Sequence, residues 1–278
     1  MSKVRDVMVW LAVVAALAVP VYFAYAALGT KFGMHDWTIG FGLLTYQWGA
    51  KVMMGAAALA VLALIAAYFT PPRRGVMSAL IALLVPAAGL GYGAYVRHQA
   101  QDIPPIHDIS TDLEDPPAFS EAVARARGEN ANSLDLVNKT TRDGAHFIDL
   151  QLEAYPDIQS IPTGLAPEAA FDVAEALVRE QSWIMGQADR EGGSIEAMAE
   201  SFWYGFKDDI VVRVTPDGEG ARIDMRSVSR VGGSDLGANS ARMRPFLEAL
   251  RVRIAEAEAA AAPAPAAAEE LTAEPASN

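Results

Sequence analysis

DIVVRVTPDGEGARIDMRSVSRV, residues 209–231, is the stretch on which the fold turns. Asp209–Thr215 is rich in β-branched residues, and Pro216-Asp217-Gly218-Glu219-Gly220 has the composition of a turn. Ala221–Val231 returns as a partner strand, so the segment predicts a β-hairpin. Alternation sends Ile223, Met225, Ser227, Ser229 and Val231 to one face, and Arg222, Asp224, Arg226 and Arg230 to the other. In the first strand Arg213 shares a face with Val211, opposite Ile210, Val212 and Val214. One face therefore needs a cover. The other is expected to show an open ladder of arginines.

The cover is legible on both sides of the hairpin. Ser234 or Asp235 suits an N-cap for a helix from about Leu236 to Ala255, with Met243, Phe246, Leu247, Leu250 and Ile254 on one face and a bend at Pro245. Upstream, Pro167 opens a helix that carries Phe171, Ala174, Leu177 and Val178 on one face. Strands are expected at Trp183–Ala188 and Ser194–Trp203. Helix, four-strand meander and helix predict an α+β fold, an antiparallel sheet with helices packed on one face. Farther upstream the pattern weakens. Phe119–Arg127 reads as a short helix, His146–Leu152 as a strand, and the prolines of Asp102–Pro117 as an extended tether. Past Glu256 the chain is mostly Ala, Pro and Glu, the composition of a disordered tail.

The first third is of another kind. Val7–Leu28, Val52–Phe69 and Val76–Val96 contain no Asp, Glu, Lys or Arg. A helix needs roughly 20 such residues to cross a bilayer, so three transmembrane helices are expected. Ala24-Tyr25-Ala26 satisfies a small-x-small cleavage pattern, but the first stretch is longer than a usual signal core and reads as a span. The organisation is then an anchor over 1–98, a tether over 99–117, a soluble domain over 118–255 and a tail over 256–278. Trp37, Phe41, Tyr46 and Trp48 form an aromatic belt beside the second span, and Gly89 and Gly93 in the third suit close helix packing. Lys3, Arg5, Arg73 and Arg74 favour a cytoplasmic N-terminus. Three crossings then put the soluble domain in the periplasm, with the protein multi-pass in the inner membrane.

Charge narrows the partners. Residues 1–96 hold six basic side chains against two acidic ones, a balance of +4; with −12 for the whole chain, the rest carries −16. So acidic a domain is a poor match for nucleic acid. With no cysteine, disulfides, thiolate metal sites and cysteine nucleophiles are excluded.

Phe202-Trp203-Tyr204-Gly205-Phe206-Lys207-Asp208-Asp209, the hairpin strands, Ser234-Asp235-Leu236-Gly237-Ala238-Asn239, and the Pro104-Pro105-Ile106-His107-Asp108-Ile109 stretch with Asp115-Pro116-Pro117-Ala118-Phe119 resemble a domain-of-unknown-function family, DUF1499. The resemblance covers roughly residues 103–254. It implies membrane helices ahead of the domain, as in many members, and no particular activity.

The expected contact surface for a small anionic ligand or an envelope partner comprises Arg213, Arg222, Arg226 and Arg230, because guanidinium forks suit carboxylates and phosphates; the alternative is a solvated sheet face whose arginines pair with Asp224 and neighbouring acids. Ser227, Ser229, Ser234, Asp235 and Asn239 lie where a helix N-terminus could add donors, and Trp203 and Phe206 offer aromatic contact. If this is a binding face, replacing Arg226 and Arg230 leaves the fold intact. The rival enzymatic reading is a hydrolase using Asp208 or Asp209 with His107, and a third reading is structural, in envelope assembly. No catalytic constellation, metal site or cofactor is assigned, and the bilayer is the one partner the composition itself implies.

Overall fold

The computed structural model describes residues 2–261. Three helices come first: α1 (Ser2–Lys31), α2 (Gly49–Phe69) and α3 (Val76–Gln99). A π-helical stretch, Thr38–Trp48, runs directly into α2, so the second apolar helix starts well before Val52, as the uncharged 39–50 segment suggests. All three are long and apolar enough to cross a membrane. Their seam is built from alanine: Ala12, Ala16, Ala60, Ala63, Ala79 and Ala82 are buried against one another. Small side chains let the helix backbones approach, while Leu17, Leu62 and Leu84 face outward. Of the two glycines expected to pack, Gly89 lies against Met53 and Gly93 faces open space. At the start of α1, the buried Arg5 donates to the carbonyls of Thr70 and Pro72 and so holds the α2–α3 turn.

The rest is one α+β unit. Its strands are β1 (Asp108–Ser110), β2 (Ile161–Thr163), β3 (Ile184–Asp189), β4 (Ser194–Glu200), β5 (Lys207–Asp217) and β6 (Gly220–Ser229). The sheet is antiparallel, in the order β1-β6-β5-β4-β3, with β2 also pairing β6. The expected hairpin is its centre, in a register that sets Arg213 opposite Asp224 and Val211 opposite Arg226. Helices α6 (Pro167–Glu180) and α7 (Ala238–Ala261) cover one face. There Phe171, Leu177, Phe246, Leu247 and Leu250 meet Ile195, Ile210, Val212, Ile223 and Met225. α7 runs on past the expected boundary at Ala255 and through Pro245. The expected tail lies, from 262 onward, outside the described residues.

Two further expectations fail upstream. The proline-rich tether is in fact partly sheet: β1 sits within it, and Ile106 and Ile109 on either side of His107 and Asp108 are fully buried. The segment expected as a strand, His146–Leu152, is helical, α5 (Phe147–Ala154). Its buried Phe147 and Gln151 lie four apart, a helical spacing that a short apolar run does not separate from alternation. Gln151 uses its amide as a strand would, accepting from Ser110 N (3.1 Å) and donating to Ser110 O (2.6 Å). That closes the β1 edge, which would otherwise offer bare backbone groups.

Candidate functional site

The arginine face is not open. Residues 111–139, including the short helix α4 (Glu121–Arg127), lie across it, and each of the four arginines meets carboxylates from this roof or from the sheet itself. Arg226, 4% exposed, donates through Nε and Nη2 to both oxygens of Asp108 (2.9 and 2.8 Å), which is 0% exposed. Its remaining donors reach the carbonyls of Pro117 and Leu134 in the roof. Lys139 closes on the same carboxylate at 2.7 Å. Burial pushes the Asp108 carboxyl up, but the hydrogen bonds and charge of Arg226, helped by Lys139, outweigh it and hold the group below the usual carboxylate range.

The pattern repeats along the sheet. Arg230 grips Asp209 with two nitrogens (2.9 and 2.7 Å), and Arg127 at the end of α4 binds the same carboxylate. Arg213 bonds Asp224 (2.9 Å), Asp112 (3.2 Å) and Asp115 (2.8 Å). Arg222, only half-buried, bonds Asp112 at 3.0 Å. The acids that neutralise the ladder thus come largely from the supposed tether. Glu196 on β4 holds the other end of α4, accepting from Ser120 N (2.6 Å) and Oγ (2.8 Å), while Ser120 Oγ caps the helix by accepting from Val123 N. Ser120→Ala removes the cap and one of these bonds. It should cost about 1 kcal/mol, read as a lowered unfolding midpoint.

On the helix-covered face, the residues expected to make an anion pocket are joined to one another. Ser227 Oγ donates to Asn239 Oδ1 (2.7 Å), and Asn239 Nδ2 donates to Ser229 Oγ and to the carbonyl of His107. Arg242, which the sequence did not single out, links this cluster to Asp208 at 2.6 Å. Its signal was present, one helical turn after Asn239 and on the same face. Asp235 caps α7 by accepting from Gly237 N and Asn239 N. Burial raises its carboxyl, against the pull of those two amides. Ser234 accepts from Leu236 N in the adjoining turn.

The hydrolase constellation does not form. Asp208 and Asp209 point to opposite faces, Asp208 bound to Arg242 and Asp209 to Arg230 and Arg127. His107, in the segment read as an extended tether, is only 7% exposed, with its ring against Phe147 and neither nitrogen hydrogen-bonded. No group of three or more His, Asp and Glu side chains converges as a metal site among the described residues. A shallow cleft of about 250 Å³ opens beside Asp112, Gln151, Leu152, Tyr155, Ser160 and Arg222, where α5 meets the β6 edge. It is the point at which one of the four expected arginines keeps access to solvent.

The aromatic residues lie elsewhere, on the β4–β5 loop. Tyr204 and Phe206 stack on each other and meet Phe41 of the π-helical stretch edge-on. Tyr204 OH and Thr45 Oγ1 are 2.6 Å apart.

A family model described as "Protein of unknown function (DUF1499)" matches residues 108–250, half of the chain. The match begins at the first residue of β1 and ends in α7. The chain belongs to the DUF1499 family. The DUF1499 segment therefore includes the strand hidden in the proline-rich stretch, the roof and the arginine ladder together. No curated protein matches the chain. Among solved structures, the crystal structure of TTHA0849 from Thermus thermophilus aligns at 11% identity. It covers 35% of this chain and 95% of that one, with a TM-score of 0.21.

Proposed function

We propose that this protein is a multi-pass protein of the bacterial inner membrane that holds its acidic DUF1499 domain on the periplasmic side as a binding module for an envelope protein. One observation carries the reading. Three of the four arginines that would suit a small anion are already enclosed with aspartates, so what faces outward is mostly the acidic remainder of a segment carrying −16. That surface favours a partner with a basic patch over a free anion. The contact is assigned to the cleft beside Arg222 and Asp112, where the bordering helix α5 exposes the acidic Asp149 and Glu153. The orientation is supported by Arg5, which gathers the α1 start and the α2–α3 turn with Arg73 and Arg74 at one end, away from the domain.

Two measurements test this. Alkaline phosphatase fused after Asn278 should be active and a fluorescent protein fused there dark; the reverse refutes the periplasmic placement. A photo-crosslinking residue at Leu152, exposed in the cleft, should give one discrete adduct in cells that fades in high salt. The same probe at Val252, exposed on α7 outside the cleft, should give none. No adduct at Leu152 refutes the binding reading.

A further inference from the structure

The domain meets the membrane helices through the β4–β5 loop, and that contact leaves two large apolar side chains bare. Phe202 is 72% and Trp203 58% exposed. Their neighbours are held: Tyr204 by Thr45, and Phe206 by Phe41. Lys31 at the end of α1 donates to the Phe202 carbonyl (2.8 Å), lies 5.1 Å over its ring and faces Glu200 at 3.8 Å. Gly205 comes so close to α1 that an added Cβ would stand 3.2 Å from Lys31 Cα, and its φ of +66° suits glycine. Lys31 follows the uncharged Val7–Leu28 stretch by three residues, about 4.5 Å along a helix. Phe202 and Trp203 are therefore fixed at the height where hydrocarbon gives way to headgroups. Phe32 and Met34 are exposed in the connection that follows α1.

We infer that Phe202 and Trp203 form a lipid-contacting tip, inserted into the interfacial layer of the same bilayer leaflet that surrounds the end of α1. The occupant follows from continuity. The loop is bonded to the end of a span, and amphipathic rings are most favourably placed at a membrane–water boundary. Bare aromatics at that height would otherwise meet water, which monomeric proteins avoid for contiguous patches. The inference rests on the reading that the apolar helices cross a bilayer, and its test keeps the two apart.

The chain has no cysteine, so a single introduced one carries a spin label without background. Full-length protein in vesicles of phosphatidylethanolamine and phosphatidylglycerol would be labelled in turn at Phe202→Cys, Trp203→Cys, Leu152→Cys and Val14→Cys, all exposed positions. Collisions with dissolved oxygen, relative to those with a water-soluble nickel chelate, should be several-fold higher at 202 and 203 than at 152, approaching those at 14. If 202 and 203 match 152 while 14 remains lipid-like, the tip faces water and the inference is overturned, leaving the pair for a protein partner. If 14 itself behaves as aqueous, the spanning reading fails and takes the inference with it.

Discussion

Arg226→Ala should cost the domain about 3–5 kcal/mol, because it strands a carboxylate that has no access to water. Asp108 is fully buried, and Arg226 supplies two of its hydrogen bonds as well as a charge. Only Lys139 would remain against it, and Lys139 is itself mostly buried. The same truncation unpairs the Leu134 and Pro117 carbonyls that the guanidinium joins to the sheet, so the roof should loosen with the strand. Domains of this kind are stable by only about 5–15 kcal/mol, so a loss of this size removes a large share. Denaturant unfolding of the full chain in detergent, followed by near-ultraviolet circular dichroism, reads it directly. Arg226→Lys keeps the charge but loses the fork, and should fall between the two. This reverses the sequence-based expectation that replacing Arg226 and Arg230 spares the fold. An alanine variant with an unchanged midpoint would show that the pair is dispensable and return Arg226 to the list of free ligand contacts.

Acidification from pH 6.5 to 4 should destabilise the domain by about 3 kcal/mol through His107 alone. Burial, with the charge of Lys139 nearby, lowers this imidazole from its ordinary 6.5 to about 4; the nearby Gly233 backbone and the charge of Asp108 oppose the shift. In the fold the ring is neutral and its nitrogens are enclosed. Below pH 6.5 the unfolded chain takes up a proton that the folded chain refuses, so stability is complete above that value and falls until the folded ring also protonates near 4. Asp108 acts in a separate window: its folded value is depressed, so its contribution is lost only below the ordinary carboxylate value of 3.8. His107→Leu should flatten the curve between pH 6.5 and 4 and leave the more acidic limb in place. A wild-type midpoint that does not move over that interval would contradict the buried, neutral state.

The hairpin, the two covering helices and the three apolar helices were legible because each repeats its pattern over ten residues or more within one segment. β5 and β6 alternate, α6 and α7 carry apolar stripes, and the long apolar stretches of the first three helices exclude charge. β1 was not legible, because three residues carry no period and the prolines beside them argue for extended, unpaired chain. What makes it a strand is a partner more than a hundred residues away, Arg226–Val228. The arginine ladder was placed on the correct face, yet its openness was misjudged for the same reason. Asp108, Asp112 and Asp115, which help to neutralise it, lie in an aperiodic segment whose destination is set by the sheet. A strand face dense in arginine within an acidic chain was the available hint that carboxylates from elsewhere would come to cover it.

The roof, the short link from Gln99 to Asp108 and the bonded loop at 201–206 have a joint mechanical result. β1 and β4 are separated by two intervening strands, a distance of about 14 Å, so the domain stands on the helices at two places rather than swinging from one. A body supported in this way surrenders little tumbling freedom when something docks on it, and a binder meets a surface already aimed.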